Sequence, residues 1–164
     1  MNHRKIAAIL LAGGLLAGTG DIVFAIIFAI TQGSTAQSLL QFVATGLLGK
    51  AAFDGGWQTA SLGLALHFAI TLVITFLFYI VSLRLQFINH RPILSGVILG
   101  LIVFAVMKFV VLPLSAFPFP INLKPLSIIT NLLSHMFLFG VPIAVAVSKA
   151  NKIFCRPPIQ TTQS

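Results

Sequence analysis

Long apolar stretches separated by short polar segments dominate the chain. A transmembrane helix needs about 20 mainly apolar residues. Four stretches reach that length, at about residues 6–30, 57–81, 92–112 and 126–147. The pattern predicts an all-α membrane protein, a four-transmembrane-helix bundle that forms a single integral membrane domain over residues 1–164.

The segment between the first and second predicted spans has a different pattern. Residues 34–49 read STAQSLLQFVATGLLG, and Gln37, Gln41 and Thr45 recur every four residues. This spacing places the three polar side chains on one face of a helix. A helix of this length covers about 24 Å, which is less than the roughly 30 Å of a hydrocarbon core. We therefore predict a short interfacial or re-entrant helix that does not cross the membrane.

Turn and cap residues complete the predicted connections. Asp54 precedes two glycines and is predicted to cap the second span. The connection between the third and fourth spans, residues 113–125, is predicted to lack regular structure because proline cannot donate a backbone hydrogen bond. It contains Pro113, Pro118, Pro120 and Pro125.

Basic residues are distributed unequally between the two ends of the predicted spans. Seven lie at one end, namely Arg4, Lys5, Arg84, Arg91, Lys149, Lys152 and Arg156, whereas Lys50 and Lys124 lie at the other. Cytoplasmic loops carry the excess of Lys and Arg. We therefore expect a multi-pass protein with its N-terminus and C-terminus in the cytoplasm.

Composition agrees with a membrane location and argues against several other classes of protein. Only 7% of the residues are charged and 58% are hydrophobic, whereas soluble domains carry about 25% charged residues. The net charge of +8 does not indicate nucleic-acid binding, because the basic residues flank apolar stretches where lipid headgroups lie. Asp21 and Asp54 are the only acidic side chains, and no catalytic motif is present. We expect no enzyme activity, no cofactor and no metal.

Each predicted span contains one ionisable residue at a depth where charge is costly. These residues are Asp21, His67, Lys108 and His135. Such side chains usually face the interior of a bundle and find partners there. Because their estimated depths all lie in the outer half of the bilayer, we expect them to form an intramembrane polar cluster. Asn131 and Ser134 on the fourth span are expected to support it, and Gly14, Gly18, Gly63, Gly96 and Gly100 are expected to allow close helix packing.

Two interpretations of this cluster remain open. It is either a structural brace that neutralises a buried charge, or a site for a proton, an ion or a small molecule.

Several segments together resemble a family of small uncharacterised four-span bacterial inner-membrane proteins. They are LAG at 16–18, FA at 24–25, ATGLLG at 44–49, LHF at 66–68, VLPLS at 111–115 and SHM at 134–136. Asp21, His67 and His135 occupy pattern positions of that family. The resemblance implies a bacterial inner (plasma) membrane location and adds no mechanism.

Three functional hypotheses follow. The first is a small carrier, channel or proton-linked permease component that uses the polar cluster, with its ligand unknown. The second is a non-transport accessory or scaffold protein that binds lipid or another membrane protein. The third is a haem b protein with His67 and His135 as axial ligands. Besides the lipid bilayer, a homo-oligomer is an expected partner because four helices form a thin bundle.

Overall fold

The computed structural model describes residues 3–120 and 124–154, and this part of the chain is helical with short connections and no strand. The all-α prediction is confirmed. Within the described residues, six α-helices are numbered in chain order. They are α1 His3–Thr31, α2 Ala36–Leu48, α3 Gly56–Ser82, α4 Gln86–His90, α5 Pro92–Leu114 and α6 Pro125–Phe154. Of these, α1, α3, α5 and α6 are long and apolar enough to cross a membrane. Cys155 and Arg156 lie outside the described residues.

The short helix α2 is held against the beginning of α3. The Thr35 hydroxyl accepts a hydrogen bond from the Ser38 N–H at 3.0 Å and caps α2. Gln41 is buried, and its amide nitrogen donates to the Gly56 carbonyl at 3.0 Å. The missing side chain of Gly63 lets the Leu40 backbone approach α3 closely. The polar stripe expected along α2 therefore faces protein at Gln41.

Two expectations about connections are wrong. Asp54 does not cap α3, because Gly55 is the N-cap residue and no side chain bonds there. The connection after the third span begins later than expected, since α5 continues through Pro113 to Leu114. Proline is tolerated there because the preceding turn widens to accommodate its ring, as described below.

Helices α5 and α6 are antiparallel and in backbone contact. A Cβ atom at Gly96 would meet the backbone of Gly140 and Val141, and one at Gly100 would meet the backbone of His135 and Met136. Small residues allow this approach, which brings van der Waals surfaces together where no hydrophobic driving force acts between helices in lipid. The packing fixes His135 next to the middle of α5.

One apolar cluster joins the beginning of α1, the helix α4 and the end of α6. It includes Ile6, Ile88 and Ala150, all buried, and Ile153 packs against it. The basic residues of these segments consequently share one end of the molecule, as the sequence pattern predicted for the charge distribution.

Large apolar side chains also cover the outer surface of the long helices. Leu16, Val73, Leu101 and Leu133 are examples, one from each. Contiguous exposed apolar surface of this kind is rare in soluble monomers and indicates lipid or protein contact.

Candidate functional site

Asp21 lies inside the helical bundle, where α6 provides its hydrogen-bond donor. Only 8% of Asp21 is exposed, and Ser134 is 2% exposed. The Ser134 hydroxyl donates to Asp21 Oδ1 at 2.6 Å. This distance is typical of a hydroxyl bonded to a charged carboxylate. Ser134, expected only as a supporting residue, is thus the direct partner of the buried acid.

His135 approaches the same carboxylate oxygen from the next position on α6. Its Nδ1 lies 3.6 Å from Asp21 Oδ1 and 3.0 Å from the Asn131 carbonyl oxygen. Because a carbonyl only accepts, Nδ1 carries a proton that it donates to Asn131. The distance to Asp21 is too long for a hydrogen bond but short for an electrostatic contact.

Aromatic rings connect His135 to Lys108. The His135 ring stacks on Phe139 with centroids 5.8 Å apart and meets the edge of Phe104 at 6.0 Å. Lys108 is buried, and its Nζ lies 5.4 Å from the centroid of the Phe104 ring. A cation at this distance is attracted by the electrons of the ring face. Lys108 thus belongs to the same neighbourhood, with Phe104 between it and His135.

His67 occupies a different place. Its Nε2 donates to the Gly18 carbonyl of α1 at 2.9 Å, and its ring contacts Phe68. Among the described residues it has no polar contact with Asp21. The structure thus brings Asp21, Ser134 and His135 together, adds Lys108 through Phe104, and leaves His67 as a link between α1 and α3. Asn131 takes part in this arrangement through its backbone carbonyl, which accepts from His135 Nδ1.

Two widened helical turns carry the residues of this site. Met107–Val111 in α5 and Ser134–Gly140 in α6 are π-helical. The Leu112 N–H donates to the Met107 carbonyl and the Val141 N–H donates to the Met136 carbonyl, so each hydrogen bond spans five residues. Lys108 lies in the first segment, and Ser134 and His135 begin the second. Single π turns inside α-helices are frequent at functional sites.

Proline explains where these turns occur. Each segment ends two residues before a proline. The first ends two residues before Pro113 in α5, and the second ends two residues before Pro142 in α6. Proline cannot donate to the carbonyl four residues earlier, and its ring clashes with that carbonyl in a regular α-helix. Widening the preceding turn relieves the clash and rotates the residues before it, which changes the direction of their side chains.

A groove on the surface lies between α1 and α6 and is lined in part by Ser134. It has a volume of about 230 Å³ and is lined by Phe24 of α1 and by Thr130, Leu133, Ser134, Phe137 and Leu138 of α6. Ser134 both lines this groove and donates to Asp21. Ser134 is therefore common to the groove and to the Asp21 contact, and Asp21 itself is not among the lining residues.

The arrangement is suited to holding and exchanging a proton. A carboxylate, an imidazole and a hydroxyl lie in contact, and each of these groups can carry or pass on a proton. No group of three or more His, Cys, Asp or Glu side chains that could hold a metal ion occurs within residues 3–120 and 124–154.

The sequence contained a signal for the parts that we did not predict. A proline within an apolar stretch marks a disturbed turn, and Pro113 and Pro142 are both such residues. No protein-family model matches the chain, and no curated protein or solved structure matches it either.

Proposed function

We propose that this chain is a bacterial inner-membrane protein that crosses the bilayer four times, with both termini in the cytoplasm. Four long apolar helices and their outward-facing apolar side chains support the crossings. The excess of basic residues at one end supports the orientation. The resemblance to small bacterial inner-membrane proteins supports the location. Helix α2 then lies at the outer interface or dips into the membrane.

Within this topology, the Asp21–Ser134–His135 site binds a proton as part of a small carrier, channel or proton-linked permease component. The observation that carries the proposal is the shared oxygen Asp21 Oδ1, which receives the Ser134 hydroxyl at 2.6 Å and faces His135 Nδ1 at 3.6 Å. Ionisable side chains in membrane helices are costly and often belong to ion or proton pathways.

Protonation has a direct consequence for the contacts at this site. A charged Asp21 accepts from Ser134 and attracts His135, whereas a protonated Asp21 offers a donor and loses its attraction for a charged imidazole. Because Ser134 and His135 lie in a widened turn of α6, a change in these contacts acts on the position of that helix. Proton binding is in this way coupled to the packing of α6 against α1 and α5.

Proton flux into proteoliposomes tests the proposal. Purified protein is reconstituted with a pH-sensitive dye inside the vesicles, and a potassium diffusion potential drives proton entry. We expect flux above that of protein-free vesicles, and we expect Asp21→Asn to abolish it while membrane abundance remains near normal. Asp54→Asn is the matched control, because it removes the only other acidic side chain. Equal flux in wild-type and protein-free vesicles would reject transport of protons.

A second function is favoured by the extent of uncovered apolar surface on α3, where Val73, Leu77 and Ile80 are exposed. Such a surface suits a non-transport accessory or scaffold that packs against lipid or another membrane protein. In that case Asp21 is a brace. Asp21→Asn then lowers abundance and thermal stability without affecting any flux, and Asp21→Asn/Lys108→Met restores part of the stability.

A further inference from the structure

A second groove lies at the basic end of the molecule, where α4 meets α5. Its volume is about 440 Å³, and it is lined by His90, Arg91, Pro92, Ile93, Leu94 and Val97. Polar and apolar residues occupy opposite parts of this groove. His90 and Arg91 form one end, and the side chains of the first two turns of α5 form the rest.

No acidic side chain in the described part of the chain pairs with the charge at the polar end of the groove. Among the described residues, the Arg91 guanidinium makes no ion pair or hydrogen bond. The only acidic side chains of the chain are Asp21 and Asp54. Asp21 is buried against Ser134, and Asp54 precedes the opposite end of α3, a helix of 27 residues and hence about 40 Å long. Neither acidic side chain is therefore placed to neutralise Arg91.

The apolar part of the groove continues away from Arg91 along α5. Ile93 and Leu94 are exposed, and Val97 follows one turn later. Val97 lies six residues beyond Arg91, which corresponds to about 9 Å along the helix axis. Ile98 and Leu101 extend the exposed apolar surface in the same direction. A ligand that fills the groove needs an anionic group and an apolar chain that starts next to it.

The polar end is fixed in position by buried contacts of α4. Ile88 is buried in the apolar cluster at this end. The Asn151 amide of α6 donates to Asn89 Oδ1 at 2.7 Å and to Ser82 Oγ at 2.7 Å. The Arg91 N–H donates to the Phe87 carbonyl at 2.9 Å. Arg91 therefore extends from an anchored backbone, which reduces the entropy lost when it binds an anion.

We propose that this groove binds an anionic phospholipid, with the phosphate on Arg91 and the beginning of one acyl chain against Ile93, Leu94 and Val97. The guanidinium fork matches phosphate oxygens in a two-point contact. Basic pockets at the cytoplasmic side of membrane helices bind such headgroups. The inference is independent of the Asp21 site and of any transport activity.

Native mass spectrometry of the purified protein in detergent tests the proposal. The probes are phosphatidylglycerol and phosphatidylcholine with identical acyl chains, titrated separately. We expect wild-type protein to bind phosphatidylglycerol more tightly than phosphatidylcholine. Arg91→Gln should weaken phosphatidylglycerol binding about five-fold, which corresponds to about 1 kcal/mol for one basic residue near an anionic surface. Arg91→Lys should retain part of the binding because it keeps the charge and loses the fork.

Two control variants separate a site from a general charge effect. Arg84→Gln and Lys149→Gln each remove one exposed positive charge from the same end of the molecule without lining the groove, and each should change binding less than two-fold. Equal weakening in all three variants would overturn the proposal, as would equal affinity of the wild type for both lipids. Displacement of the lipid by an equal concentration of inorganic phosphate would also overturn it, because the ligand would then be a free anion. Unchanged melting temperatures exclude misfolding as the cause.

Discussion

The hydrogen bond between Ser134 and Asp21 makes a quantitative prediction. Ser134→Ala removes the donor at 2.6 Å and leaves Asp21 Oδ1 without a hydrogen-bond donor among the described residues. Hydrogen bonds to charged groups contribute about 1.5–3 kcal/mol in water-soluble proteins. Measured couplings between membrane helices average about 0.6 kcal/mol and reach about 1.7 kcal/mol. We expect a coupling in the upper part of that membrane range, because both partners are almost fully buried.

A double-mutant cycle isolates this coupling from other effects of the substitutions. The free energy of unfolding is measured in mixed micelles for wild type, Ser134→Ala, Asp21→Ala and the double variant, because asparagine at position 21 would keep an oxygen that accepts from Ser134. The difference between the double variant and the sum of the single variants gives the interaction energy. We expect about 1–1.7 kcal/mol.

Thr130→Ala is the matched control for the same cycle. Thr130 also lines the groove of α6, but its hydroxyl donates to the Leu126 carbonyl of its own helix at 2.7 Å. Its substitution should be additive with Asp21→Ala within about 0.3–0.5 kcal/mol, the usual limit for independent positions. A Ser134 coupling no larger than that of Thr130 would refute the assignment of Ser134 as the donor to Asp21.

Two further predictions concern packing and topology. Gly100→Ala should lower the free energy of unfolding by about 1–3 kcal/mol, because its Cβ atom would meet the backbone of His135 and Met136. Gly20→Ala is the control and should be nearly neutral, because its Cβ atom would approach Leu138 only to 3.5 Å or more. Equal effects of the two substitutions in urea or SDS titrations would contradict the close contact at Gly100. Reporters fused after residue 164 and within residues 113–125 should be active in the cytoplasm and outside, respectively, and cysteines at Gln37 and Lys50 should label from the same outer side. Labelling of these two cysteines from opposite sides would make α2 a span.

Much of the helical architecture was predictable because apolar length determines it. A stretch of about 20 apolar residues leaves little choice of structure in a membrane, since every backbone group has to bond within its own segment. The ends of the helices were less predictable. The prediction ended the fourth helix at Val147, whereas α6 continues to Phe154 because its last turns pack on Ile6 and Ile88. That contact involves residues more than 60 positions apart, and local hydropathy does not contain it.

The sequence predicted that Asp21, Lys108 and His135 lie near one another, but it did not predict their contacts, and it wrongly included His67. Depth along the spans selected Asp21, His67, Lys108 and His135, but depth does not determine which way a side chain points. The His67 ring donates to the Gly18 carbonyl, and a Cβ atom at Gly18 would meet Phe68 and Thr71 on the same helix as His67. A backbone partner of this kind cannot be identified from the spacing of ionisable residues alone.

Basic side chains greatly outnumber acidic side chains in this chain. A chain with ten basic and two acidic side chains cannot neutralise its own cations. One of the two acids is buried in the middle of the bundle beside His135, and the other lies beyond the opposite end of α3 from Arg91. In the proposed topology, anions of the membrane neutralise the basic end, and Arg91 is available for a phosphate group. Asp21 is buried in the interior, so it does not neutralise basic side chains at the surface. Because an unpaired acid in hydrocarbon costs several kcal/mol or takes up a proton, its interior position requires either the brace or the proton site, and the coupling to Ser134 together with the flux measurement distinguishes the two.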